Sequence, residues 1–193
     1  DSTLNHKTFI QEATLESNLT YKRGTGAFGA LPSPEEAFND GTSRFALVTA
    51  DASLALPFKW DTQRIRYNGT WRIQANKTPL TPQDRFAIGG RYTVRGFDGE
   101  SNLSAERGWL VRNDVGLPLQ TIGAEAYLGV DYGQVGGPTA GWLVGRNLSG
   151  AALGLRGNVM KVAYDFFVAR PLSKPQGFRT SSTTAGFSLL VSF

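Results

Sequence analysis

Val94-Arg95-Gly96-Phe97, inside the stretch GGRYTVRGFDGE from Gly89 to Glu100, presents one guanidinium between glycine-rich flanks. Farther on, the run LGVDYG sets Asp131 between Gly129 and Gly133. The chemistry open to such a pair is recognition rather than bond making. An arginine and a carboxylate can form a bidentate, charge-assisted contact, and excluding water strengthens it. Gly96 allows positive φ or close backbone approach beside the arginine, and Phe97 can pack on a wall. Glycines on either side of Asp131 make room for an incoming loop. The expectation is a loop folded back into a cavity, with Arg95 as the latch and Asp131 on the receiving wall.

Other chemistries find little to work with. His6 is the sole histidine and there is no cysteine, so His-based triads, thiolate metal sites and disulfides are not expected. Glu125 and Asp131 share a strand face, but six residues at strand rise set them ~20 Å apart. A glycosidase pair sits at ~5–9.5 Å. A carboxylate cluster drawn from separate strands, as in an outer-membrane protease, is the weaker enzyme reading; the expectation is no enzyme, no metal and no cofactor. Gly24, Gly26 and Gly29 spell G-x-G-x-x-G, but LPSPEEAF follows rather than a helix, and no acid stands where a dinucleotide site needs one. The net charge of +4 comes from scattered basic residues without a nucleic-acid motif, so no nucleic-acid partner is expected.

The elements that must carry these residues alternate with a two-residue period. Ala185, Phe187, Leu189, Val191 and Phe193 share one parity, opposite Gly186, Ser188 and Leu190. Met160, Val162, Tyr164, Phe166 and Val168 oppose Lys161, Ala163, Asp165 and Phe167. The pattern recurs at Leu153–Leu155, Ala126–Tyr132, Trp109–Leu117, Ile65–Ile73, Val48–Leu56 and Ala13–Tyr21. This predicts about eight strands, with the residues around His6 as a lead-in. No apolar run exceeds four residues, whereas a membrane helix needs roughly 18. A barrel strand, however, hides its apolar residues at alternate positions.

Connections alternate too, long after Arg23, Asn76, Gly133 and Arg170 and short near Lys59, Gln120 and Gly157. Membrane barrels have this asymmetry, whereas a soluble sandwich or lipocalin-like barrel, the alternative, does not require it. Arg64, Arg66 and Arg72 share the polar parity. An arginine facing lipid at midplane costs roughly 2–4 kcal/mol, so this parity points inward. It also carries Lys22, Arg112, Asp114, Glu125, Asp131, Arg156, Lys161 and Asp165, a set that suits a wide hydrated lumen better than a small packed barrel. The expected fold class is therefore all-β, a transmembrane antiparallel β-barrel of which the chain supplies half.

Taken together, RFAIGGRYTVRGFDGE, LSAERGWLVRND, YLGVDYG and the terminal FSLLVSF resemble the C-terminal half of the two-partner secretion transporters (TpsB). The likeness is closest to those serving filamentous haemagglutinin and contact-dependent inhibition exoproteins. It implies that residues 1–193 form about eight C-terminal strands of an about sixteen-stranded barrel in the Gram-negative outer membrane. The stretch from about 76 to 108 would be a loop inserted in the lumen. Periplasmic POTRA domains and N-terminal strands would lie outside this sequence. The resemblance also implies transport without ATP of an unfolded, TpsA-type exoprotein (an adhesin, haemolysin or contact-dependent toxin) to the cell surface. Outer-membrane lipid and the barrel assembly machinery would be further partners, the latter reading Phe187, Leu189, Val191 and Phe193 as an assembly signal. The alternatives are an assembly factor of the same superfamily or a passive porin.

Overall fold

A computed structural model describes residues 1–25, 27, 42 and 44–192. Gly26, Gly29 and Phe193 lie outside the described residues, and so does most of the glycine-rich run after Arg23. The described chain forms strands β1 (Ser2–Ile10), β2 (Ala13–Arg23), β3 (Ala46–Trp60) and β4 (Gln63–Asn76). The short β5 (Phe86–Ile88) and β6 (Leu103–Ala105) follow, then β7 (Arg107–Leu119), β8 (Ala124–Gly136), β9 (Asn147–Val159), β10 (Val162–Ser173) and β11 (Thr184–Val191). Nine of them make one antiparallel sheet in the order β1-β2-β3-β4-β7-β8-β9-β10-β11, while β5 and β6 pair separately within the β4–β7 connection.

The sheet is open in this chain, one wall of a barrel whose strands are long enough to cross a bilayer with tilt. At one end the connections are tight. Ile10 pairs with Ala13, Trp60 with Gln63 and Val159 with Val162, leaving two-residue turns. Their first residues, Gln11, Asp61 and Met160, sit at φ of 56°, 54° and 54°. Positive φ there matches the turn's twist to that of the strands. At the other end lie the long connections 77–106, 137–146 and 174–183.

Two expectations need correction. Ser2–Ile10 is a full strand rather than a lead-in, so the sheet has nine strands and not about eight. Its outward row (Ser2, Leu4, His6, Thr8, Ile10) mixes polar with apolar residues and shows no apolar face, yet its backbone pairs with β2 from Ala13 to Tyr21. Met160 and Lys161 are turn residues rather than strand residues, with the Met160 side chain fully exposed.

Register puts like with like. One outward row reads Leu56, Tyr67, Val115, Leu128, Leu153, Val168 and Ala185 across seven strands. An inward row reads Thr70, Arg112, Asp131, Gly150 and Pro171. Asn113 is a polar residue on the outward face of β7, flanked along the strand by Val111 and Val115. The Tyr67 hydroxyl donates to its Oδ1 at 2.6 Å, and its amide donates to the Val130 carbonyl at 3.3 Å. A polar group facing lipid needs such internal partners.

The core lies on the inward face. Phe86, Ile88, Val94, Phe97 and Leu103 of the β4–β7 connection pack with Leu110, Val135 and Leu148 of the wall and Phe178 of the last connection. Beneath the stem of this loop, then, the inward face is buried and largely apolar, with charged Asp131 and Asp114 under the tip. The charges predicted from parity concentrate toward the tight-turn end.

A substitution tests the two faces. Leu128→Arg, on the outward face of β8, is expected to cost about 2–4 kcal/mol, read as a lower denaturant midpoint for the barrel folded in bilayers. Ser53→Arg, on the inward parity of β3, should move the midpoint far less. Equal shifts would reverse the assignment of faces.

Candidate functional site

The connection 77–106 turns back over the inward side of β7–β10. Gln74 of β4 fixes its two ends, its amide donating to the Asp84 carbonyl at 2.7 Å and to the Glu106 carbonyl at 3.2 Å. Buried Glu106 in turn accepts the Thr139 amide of the 137–146 connection at 3.2 Å. The β5–β6 pair stiffens the stem, and the tip from Gly89 to Glu100 descends onto the wall.

At the tip, Val94 is fully buried and Arg95 is 2% exposed. The Arg95 guanidinium meets Asp131 side on, Nε donating to Oδ2 at 2.7 Å and Nη2 to Oδ1 at 2.6 Å. The Arg95 backbone amide adds a third bond to Oδ2 at 2.9 Å, and Nη2 also reaches Asp114 Oδ1 at 2.6 Å. Burial works against the Arg95 charge, but the bonds to Asp131 and Asp114 outweigh it and hold its pKa above the ordinary arginine value.

Missing side chains make the fit possible. A Cβ on Gly129 would strike the Arg95 guanidinium, and one on Gly133 would come within 2.9 Å of both Ile88 and Val94. A Cβ on Gly150 would fall on the Arg95 carbonyl oxygen. Gly96 adopts φ of 97° and lies directly against the Arg170–Pro171 backbone, so no other residue type fits there without strain. Phe97 meets Phe178 edge-on at 5.7 Å. Asp98 Oδ2 accepts the Ser181 amide at 2.7 Å, and the Asp98 amide donates to Thr180 Oγ1 at 3.3 Å. Consecutive residues thus fasten the tip to β8, β10 and the last connection.

A ladder of charge continues toward the tight turns. Arg156 Nη1 lies 3.4 Å from Asp114 Oδ2 and its Nη2 2.5 Å from Glu125 Oε1. Arg66 approaches the other oxygen of Glu125 at 3.1 Å, and Arg112 Nε stands 3.8 Å from Asp131 Oδ2. The Tyr127 ring lies under both Arg95 and Arg156, with its hydroxyl donating to Asp165 at 2.8 Å. The acids are thus engaged by cations, and among the described residues no group of three or more His, Cys, Asp or Glu is arranged to hold a metal ion.

The structure brings Val94, Arg95, Gly96 and Phe97 together with Gly129, Asp131 and Gly133. Phe187, Leu189 and Val191 stand apart on the outward face of β11, exposed, with Phe187 stacked on Phe166. Asp114, Tyr127, Asp98, Gly150 and Phe178 are site residues that sequence reasoning missed. The inward parity of Asp114 and Gly150 was a usable signal. Phe178 and Asp98 lie in connections, where no period operates.

A transmembrane β-barrel wall with a loop latched to its lumen side is the class these features define. The family model for haemolysin secretion/activation proteins of the ShlB/FhaC/HecB type matches residues 1–157. The outer membrane transporter CdiB-2 of Burkholderia pseudomallei is 39% identical across 98% of this chain and 33% of its own length. The hemolysin transporter protein HpmB of Proteus mirabilis is 28% identical across 98% of this chain and 34% of its own. Among solved structures, CdiB from Acinetobacter baumannii superposes with a TM-score of 0.81 at 31% identity, over 99% of this chain and 32% of that one. CdiB from Escherichia coli shares the fold, with a TM-score of 0.81 at 22% identity over 99% of this chain and 36% of its own. The chain belongs to the ShlB/FhaC/HecB family, whose barrels reside in the outer membrane, and spans about a third of the curated relatives it matches.

The Asp98 tie carries a pH signature. The Ser181 amide bond, joined by that of Glu100, holds the Asp98 carboxyl below the ordinary aspartate value of 3.8. Because the docked value is the lower one, the tie is fully present above pH 3.8 and is lost as pH falls through that depressed value. Amide exchange at Ser181, compared across acid pH, should quicken in that window in the native barrel. In Asp98→Asn it should be fast throughout and without the step.

Proposed function

We propose that this chain is a C-terminal wall of an outer-membrane pore that passes an unfolded partner exoprotein (an adhesin, haemolysin or contact-dependent toxin) from the periplasm to the cell surface. The reading is carried by one observation above the others. In a chain whose relatives are named transporters, a loop occupies the lumen side through the Arg95–Asp131 pair rather than through a fully apolar plug. A plug held by ionic and small apolar contacts can be closed and still be released. No ATP is at hand in the periplasm, so direction comes from folding of the exported chain outside. A wall of mixed charge offers an extended polypeptide many weak contacts and no deep trap. No step of this process makes or breaks a covalent bond, so we assign no catalytic residue.

In this reading Val94, Arg95, Gly96 and Phe97 are the latch, and Gly129, Asp131 and Gly133 are its seat. The outward row of β11 (Phe187, Leu189 and Val191), with Phe193 after it, is the signal read by the barrel assembly machinery.

Removing the Arg95 side chain takes away the loop's guanidinium bonds to Asp131 and Asp114, and with them the hold on the tip. Arg95→Ala is therefore expected to reduce export of the cognate exoprotein to background while the transporter still reaches the outer membrane. Secreted partner in the medium and folded barrel in the membrane fraction are measured side by side. Normal export by this variant would sink the latch and favour a passive pore.

A further inference from the structure

Resting on the reading of the loop as a releasable latch, we propose that Arg112 is a stand-in counter-ion, built into the wall to take over Asp131 when Arg95 leaves. Arg156, which already reaches Asp114 Oδ2 at 3.4 Å while holding Glu125, backs the second acid. Release of the loop is then an exchange of cations rather than the stripping of two buried acids.

The geometry for exchange is present in the docked state. Arg112 is the direct cross-strand partner of Asp131 in the β7–β8 register, on the same inward face. Its Nε stands 3.8 Å from Asp131 Oδ2, outside hydrogen-bond reach, because the Arg95 Nε and backbone amide already hold that oxygen at 2.7 and 2.9 Å. Arg156 Nη1 waits 3.4 Å from Asp114 Oδ2, while Arg95 Nη2 holds Oδ1 of the same acid at 2.6 Å. Each acid is thus shared between a tightly bound cation from the loop and a more distant one from the wall.

Space for the exchange exists as well. The Arg95 guanidinium fills the hollow above Gly129, and Gly129 faces Asp114 across the same two strands, one inward position along from the Arg112–Asp131 pair. When Arg95 withdraws, that hollow lies next to Arg112, whose long side chain needs only a rotamer change to enter it. Asp131 is 1% exposed. While the loop still covers it, Asp131 without a cation would be a bare buried charge, the arrangement that makes a broken ion pair far costlier than a re-formed one. With Arg95 docked, Arg112 is instead a like charge beside it, which limits how tightly the loop is held.

Exchange predicts greater-than-additive damage when both cations are removed. Arg95→Gln, Arg112→Gln, the double variant, and the double variant with Asp131→Asn are made in the full-length transporter. For each, the temperature at which the barrel opens is read from its heat-modifiable band after gentle detergent extraction. Each single replacement should lower that temperature modestly, since the other arginine serves Asp131. The double variant should lose more than the sum of the two, up to complete loss of the folded band. Adding Asp131→Asn should restore most of the excess loss, because the acid needing a cation is gone.

Additive losses, or no recovery with Asp131→Asn, would overturn the exchange. The measurement does not involve secretion. A latch that proves irrelevant to export therefore fails in the Arg95→Ala assay, while the exchange stands or falls here.

Discussion

A carboxylate buried at the centre of a barrel wall must be met by a cation, and that requirement organises the lumen side of this chain. Asp131 sits on a strand face where water cannot compensate its charge. The cation that meets it most closely arrives from a loop, not from the wall. Placing Arg95 there brings its backbone amide onto the same carboxylate and its carbonyl against Gly150. It also brings Gly96 onto the β10 backbone and Phe97 onto Phe178. The pair fixes where the tip lies, and the glycines and small apolar residues around it are what such a position leaves room for.

Apolar packing supplies the rest of the loop's hold. Ile88, Val94, Phe97 and Leu103 bury themselves against Leu110, Val135 and Leu148, residues that point inward where most of the inner wall is polar. Half of the inward face therefore behaves as a protein core, and the half toward the tight turns as a charged, solvated surface. The division follows the reach of the loop.

The strands were legible because a lipid-facing row must be apolar and its neighbours need not be. Where that pressure is weak the pattern fades. In β1, His6 and Thr8 share the outward row with Leu4 and Ile10, and backbone pairing with β2 decides the matter. Met160 misled because an apolar residue in a tight turn continues the period of the strand beside it; only its positive φ marks the difference. Of the site, the two glycine-framed motifs could be read directly. The second acid at Asp114 required the register between strands, because which inward residues become neighbours depends on stagger and not on spacing along the chain. The contacts of Asp98 and Phe178 join two connections, and nothing periodic in either announces them.

The two-residue turns set a limit of a different kind. A hairpin closed by so few residues cannot slide, since moving by one position would turn every lipid-facing side chain inward. Three strand pairs are pinned in this way, at Gln11, Asp61 and Met160. For a closed barrel of given strand number, stagger determines the bore. These hairpins therefore have no iris: their stagger is set when they form, and along them the lumen side changes only by what stands against it.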